Sequence, residues 1–244
     1  MLQQNRKKMT PFLAEMFGTA ILIIIGNGVV ANVVLPKTKG NNAGLLAIVL
    51  GWMIAVFVGV YITAPSSGGH LNPAVTIALA TAGKFSWSLV PMYIIAQMLG
   101  AMLGALVVWI IYRPQFNEAS SSGDQLACFS TGPSIRDLKQ NILVETLATF
   151  VFLLGIFFIK PAGIEMGAMS ALPVSLLVAG IGFGLGGPTG WAINPARDLG
   201  PRIMHFVLPM KGKGSSDWGY AFVPVLGPIV GGILAAIVYL QFLQ

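Results

Sequence analysis

The sequence predicts an all-α membrane protein: six transmembrane helices and two half-spanning re-entrant helices, arranged as two inverted repeats. Three observations predict it. The chain is 55% hydrophobic and only 9% charged, whereas a soluble domain carries about a quarter charged residues. The apolar residues gather in long runs near the ~20 residues that cross a bilayer core. The tripeptide Asn-Pro-Ala occurs twice, as Asn72-Pro73-Ala74 and Asn194-Pro195-Ala196, each time after a glycine-rich stretch and before a short apolar segment.

The runs cover about 12–35, 44–64, 89–112, 142–159, 168–187 and 219–243. The first is too long for a signal-peptide core and contains Glu15, so it reads as a retained span. Arg6, Lys7 and Lys8 precede it and place the N-terminus, and with six spans the C-terminus, in the cytoplasm by the positive-inside rule. The loops do not reinforce this: Lys/Arg at 6, 7, 8, 84 and 160 fall inside, against 37, 39, 113, 136, 139, 211 and 213 outside. Trp87 and Trp218, at run ends, fit the interfacial aromatic belt. The net charge of +6 is loop solvation and gives no sign of nucleic-acid binding. Cys128, the only cysteine, forms no internal disulfide.

Asn followed by Pro starts a helix: Asn caps the free N–H groups and Pro fits the first helical position. The segments 73–82 and 195–206 therefore read as helices. Ten residues rise only about 15 Å, half the hydrocarbon thickness.

The chain also repeats itself. Glu15 with Thr19 is echoed by Glu145 with Thr149, and an Asn-Pro-Ala follows each glutamate, 57 and 49 residues later. Each half, about 10–112 and 140–243 of a single channel domain spanning 1–244, holds three spans. An odd number inverts the second half about an axis in the membrane plane. The two half-helices then enter from opposite faces and their N-termini meet near the midplane, where irregular backbone is tolerated only beside a polar cavity. Two facing N-termini place about half a positive charge each at the centre, which repels cations. Each Asn holds itself by its side-chain oxygen and presents amide N–H groups to the lumen, orienting a passing oxygen against a proton-conducting water chain. The stretches 66–71 and 186–193 run extended, with Gly68, Gly69, His70, Leu71, Gly190, Ala192 and Ile193 offering carbonyl acceptors to water or a polyol.

Across nearly its whole length the chain resembles the major intrinsic proteins, the aquaporins and aquaglyceroporins. The resemblance rests on 69–76 (GHLNPAVT), 194–202 (NPARDLGPR) and the Glu15/Glu145 repeat in register with six spans. It implies an aquaporin-like fold and a homotetramer in a cell membrane with one pore per subunit, no cofactor and no enzymatic activity. Asp198, Arg202 and Pro224-Val225 resemble the glycerol-passing branch. By position, the family's aromatic/arginine filter falls on Trp52, Gly182, Trp191 and Arg197. Many glycerol facilitators carry phenylalanine where this chain has Trp191, whose larger ring narrows or reshapes the filter and adds an N–H donor. The implied function is passive passage of glycerol, other small uncharged solutes and water, excluding ions and protons. The alternative is a water-selective channel, or one for dihydroxyacetone, urea or protonated lactic acid.

Physical arguments run alongside the resemblance. Arg197 sits in the first turn of its half-helix, against the dipole, and an intramembrane Arg costs roughly 2.5–3.5 kcal/mol even on the mildest scale. Val75 holds the equivalent place in the other half, so symmetry did not require the charge. Trp52 lies too deep for the interfacial belt. On this reading Trp52 and Trp191 contact a polyol's CH groups, Arg197 and the carbonyls bind its hydroxyls, and Gly182 leaves room for the carbon chain. Plainer readings exist: Gly182 as a packing glycine, Glu15 and Glu145 as props accepting loop N–H groups rather than proton relays, His70 as a loop anchor rather than a pH gate, and Gln97, Gly100 and Gly104 as packing residues. A secondary transporter shares inverted repeats and broken helices, but only the two glutamates stand ready to couple an ion. A membrane enzyme lacks a metal-ligand cluster, phosphate loop or nucleophile–base pair.

Overall fold

The computed structural model describes residues 9–119, 121–159 and 171–242, and every described element of regular structure is helical. The elements in chain order are α1 (Pro11–Val34), α2 (Gly44–Ser67), α3 (Pro73–Thr81), a single 3-10 turn (Trp87–Leu89), α4 (Val90–Phe116), α5 (Ser122–Ala127), α6 (Leu138–Phe158), α7 (Leu172–Leu185), α8 (Pro195–Val207) and α9 (Val223–Gln241). Arg6, Lys7, Lys8, Lys160, the start of the fifth run and Leu243 lie outside the described residues.

Five helices, α1, α2, α4 with its preceding turn, α6 and α9, are long and apolar enough to cross a membrane, and α7 is a shorter apolar helix. Large apolar side chains such as Leu46, Ile95, Ile110 and Phe206 face outward, as lipid-facing surface does. The protein is a multi-pass integral membrane protein. The short α3 and α8 rise about 14 and 20 Å.

Capping sets the ends. Thr10 Oγ1 accepts from Leu13 N with Pro11 in the first turn of α1. Asp137 accepts from Lys139 N and Gln140 N and so starts α6 four residues before its apolar run. The short α5 gave no apolar signal. It is capped by Ser121 and tethered by Gln125, whose Nε2 donates to the Phe116 and Lys211 carbonyls at 2.8 Å each.

Both glycine-rich stretches are shorter as extended chain than the sequence suggests. Ser66 and Ser67 complete α2, because Ser67 Oγ donates to Glu15 at 2.6 Å and the helix closes on left-handed Gly68. In the second stretch Gly190 N returns to Gly186 O at 2.8 Å, so a turn precedes extended backbone that begins at Gly190.

The long helices cross at small residues. A Cβ on Gly100 would lie 2.1 Å from Met16 O, and one on Gly231 2.2 Å from Thr146 O. Met16 follows Glu15 and Thr146 follows Glu145, so the α1–α4 and α6–α9 crossings are equivalent. Each half-helix packs on the last span of the opposite half, α3 on α9 and α8 on α4.

Candidate pore and filter

Both Asn-Pro-Ala motifs start helices as their composition dictates. Asn72 Oδ1 accepts from Ala74 N at 2.9 Å, and Asn194 Oδ1 accepts from Ala196 N at 3.0 Å and Arg197 N at 3.2 Å. Their amides do more than face a lumen. Asn72 Nδ2 donates to Ile193 O at 2.8 Å, and Asn194 Nδ2 to Leu71 O at 2.9 Å. Each amide thus spends one hydrogen on the opposite loop and leaves the other uncommitted beside the cavity. The sequence expectation that each Asn presents its amide N–H groups to the lumen is narrowed by these cross-bonds, which commit one N–H of each.

The loops leading to the motifs carry strained backbone. Leu71 (φ 51), Trp191 (φ 38) and Ile193 (φ 42) are left-handed without being glycine, at a cost of about 1–3 kcal/mol each. The buried glutamates hold this geometry. Glu15 accepts from His70 N (3.0 Å), Leu71 N (2.7 Å), Ser67 Oγ (2.6 Å) and Gln97 Nε2 (2.8 Å). Glu145 accepts from Ala192 N (3.0 Å) and Ile193 N (2.9 Å). Neither carboxylate lines the cavity, so neither is placed to carry an ion along it. Gln97 also donates to Thr76 Oγ1 at 3.0 Å, and the His70 ring meets Thr76 Oγ1 at 3.1 Å between Phe85 and Tyr93. With their N–H groups tied back, the carbonyls of Gly69, His70, Gly190 and Ala192 accept no hydrogen bond from any described residue.

The cavity beside these loops has a volume of about 160 Å³. Its walls include Leu22, Val56, Val60, Phe152 and Val178, and Gly68–Asn72, Trp191–Asn194, Trp52 and Arg197 complete it. An apolar wall faces a strip of polar backbone, which suits a molecule with one CH side and one hydroxyl side.

Trp52, Trp191 and Arg197 all line the cavity. The guanidinium carbon of Arg197 lies 4.2 Å from the Trp52 ring centroid, a cation–π stack worth about 2 kcal/mol when desolvated. Its Nη1 reaches the Phe129 carbonyl at 3.5 Å. Both indoles sit in slots cut by glycines. A Cβ on Gly26 would fall 2.3 Å from Trp52, and one on Gly186 2.0 Å from Trp191. Gly182 lies behind Trp191, its ideal Cβ 3.1 Å from the indole, and is absent from the cavity wall. The room it makes is taken by the indole, not left for a carbon chain as the sequence suggested. Gly26 escaped the sequence reading because Trp52 lies on another helix, and Gly186 because only the turn closed by Gly190 N on Gly186 O folds it against Trp191.

Asp198 and Arg202 point away from the cavity and lock the surrounding loops. Asp198 accepts from Thr131 N and Oγ1, both at 2.7 Å, and pairs with Arg202 at 2.8 Å; Arg202 donates to the Ser216 and Thr131 carbonyls at 2.8 Å. His205, for which the sequence offered no role, joins the same lock through Ser216 Oγ at 2.8 Å. Among the described residues no three His, Cys, Asp or Glu side chains gather to hold a metal ion.

Membrane-crossing helices around two half-helices that meet cap to cap, beside an apolar cavity seamed with backbone carbonyls, define a membrane channel. Residues 3–239 match the family model described as Major intrinsic protein, and the chain belongs to that family. It is 51% identical over 231 residues to a probable glycerol uptake facilitator protein of Thermotoga maritima, covering 95% of this chain and 98% of that one. It is 49% identical over 234 residues to the glycerol uptake facilitator protein of Streptococcus pneumoniae R6, covering 96% and 100%. The X-ray structure of the Plasmodium falciparum aquaglyceroporin superposes with a TM-score of 0.83 at 32% identity, covering 93% of each chain.

Proposed function

We propose that this protein is a passive channel for glycerol and other small uncharged solutes, with water, that excludes ions and protons. The observation that carries the reading is the stack of Arg197 on Trp52 on the wall of a cavity that Trp191 also lines and that is seamed with backbone carbonyls. The full-length similarity to glycerol uptake facilitators supports it.

Trp52, Trp191 and Arg197 form the selectivity filter, with Gly182 shaping it by seating the indole. The aromatic faces take the CH edge of a polyol, while Arg197 and the free carbonyls replace the water lost by its hydroxyls. At the constriction formed by Asn72-Pro73-Ala74 and Asn194-Pro195-Ala196, the two uncommitted amide hydrogens and the helix dipoles orient the passing oxygen and repel cations. The equivalent crossings, glutamates and motifs support two inverted repeats, 10–112 and 140–243. Both termini face the cytoplasm, and the channel works as a homotetramer with a pore in each subunit.

Stopped-flow light scattering of proteoliposomes tests the reading. Fast, non-saturating glycerol entry without ion dependence is expected, and Arg197→Ala is expected to admit four-carbon polyols. The width of Trp191 favours one alternative, a water-selective pore. Fast water flux without glycerol entry would establish it, and dihydroxyacetone, urea and protonated lactic acid belong in the same solute panel.

A further inference from the structure

We infer that Asn27 is a positioning residue for Arg197 and thereby sets the selectivity of the filter. The inference rests on the filter reading above and adds to it a residue that touches no solute. Asn27 lies within α1, 1% exposed, one position after the glycine that seats Trp52. Its Nδ2 donates to the Phe129 carbonyl at 3.1 Å. That carbonyl is the acceptor for Arg197 Nη1. A carbonyl oxygen has two lone pairs, so a single oxygen is held from behind by the amide and offers its other side to the guanidinium.

The arrangement answers a need. Phe129 belongs to a connecting segment between α5 and α6, and such segments move more than the spans they join. At 3.5 Å the arginine's contact with this carbonyl is long and sensitive to small shifts in the acceptor. The amide on α1 ties the segment to a membrane-embedded helix. Consecutive residues of α1 thus serve both members of the cation–π pair: Gly26 fixes where the Trp52 ring lies, and Asn27 fixes the oxygen that holds Arg197 over it. Asn27 Oδ1 is buried without a partner. A polar side chain that leaves one of its own atoms unsatisfied in an apolar helix costs stability that an aliphatic residue would not. The donor function offsets that cost.

The test is a double-mutant cycle read as the ratio of four-carbon-polyol to glycerol permeability in proteoliposomes, with Asn27→Leu and Asn27→Ala each alone and combined with Arg197→Ala. Each Asn27 variant alone is expected to raise the ratio in the same direction as Arg197→Ala, by roughly two- to tenfold, the range one hydrogen bond commands. In the Arg197→Ala background neither is expected to change the ratio further, because the residue acts through the arginine. An unchanged ratio in the single variants while Arg197→Ala shifts it would overturn the inference, as would additive shifts in the doubles. Failure of both Asn27 variants to assemble while Arg197→Ala assembles would assign the amide to folding and overturn it equally. If Arg197→Ala itself leaves the ratio unchanged, the filter reading fails instead.

Discussion

Replacing Glu145 by glutamine is expected to damage the protein far more than the matching change at Glu15. Each oxygen of Glu145 accepts one backbone N–H, from Ala192 and from Ile193. Whichever way a glutamine turns, its NH2 faces a backbone N–H. One hydrogen bond to a charged acceptor is lost, worth about 1.5–3 kcal/mol, and a buried donor is stranded at about 1–3 kcal/mol more. The loss of about 2.5–6 kcal/mol matches the strain stored at Trp191 and Ile193, so the segment is expected to relax. Glu15 has an escape. With its NH2 toward Ser67, the hydroxyl reverses and donates to Thr63 O, now 3.4 Å away, and His70 N alone is stranded at a partly buried site. The bond from His70 N is lost at about 1.5–3 kcal/mol, but the further penalty for a stranded buried donor is largely avoided, because that N–H is only partly buried and the glutamine NH2 donates to Ser67 Oγ. Thermal unfolding of the two purified variants reads the difference, the stranded-donor penalty of about 1–3 kcal/mol, as about 2–12 °C at ~2–4 °C per kcal/mol for a chain of this size. Equal midpoints, or a lower one for Glu15→Gln, would refute the assignment of these carboxylates as loop supports of unequal redundancy.

Gly186→Ala is expected to displace Trp191, since the new Cβ would lie 2.0 Å from the ring; glycerol entry should fall at least tenfold, and the double variant with Trp191→Phe should recover part of it. Trp191→Phe alone is expected to shift the glycerol-to-water permeability ratio, and an identical ratio would make the indole neutral. Cys128 is buried and donates to Asp124 O at 3.1 Å, and burial pushes its thiol up. At neutral pH a maleimide is therefore expected to leave both the folded protein's mass and its glycerol entry unchanged, reacting only after denaturation.

The parts of this fold that the sequence revealed are those set by composition and local chemistry. Lipid needs long apolar runs, and Asn-Pro needs no tertiary partner to start a helix, so the long spans, α3 and α8 were legible. So were Trp52 and Arg197, because a deep tryptophan and a membrane-embedded arginine call for an explanation. What stayed hidden depends on contacts and turns that exist only in the folded chain. Ser66 and Ser67 read as loop, yet Glu15 on α1 holds them helical. Gly186 read as the start of an extended stretch, yet the chain turns there and its missing Cβ is what seats Trp191. The short α5, without an apolar stripe, had no periodicity to betray it. The amide of Asn72 gave no hint that one hydrogen was committed 121 residues away.

That commitment explains how two strained loops from separate halves come to share one geometry. Leu71 O and Ile193 O belong to residues in left-handed backbone, and each is pinned by the asparagine of the other half. Neither loop can relax its φ without breaking the other loop's bond. The glutamates secure each loop from behind, and the asparagines secure the pair across the centre. A buried cation is then added to one half only. Val75 occupies the place that Arg197 fills in the second half, and only the second half carries the Asp198–Arg202 lock that fastens its half-helix to the surrounding loops. The extra fastening falls where it is needed. A half-helix bearing a buried cation in its first turn works against its own dipole; the carboxylates of Asp198 and Glu145 together offset the charges of Arg197 and Arg202, while the loop bonds of Asp198 hold the half-helix that stacks Arg197 on Trp52. The expected signature is that Asp198→Asn disturbs solute selectivity although Asp198 touches no solute, whereas a change at Thr76, the matching position after Val75, acts through Gln97 and His70 on loop stability without altering which solutes pass.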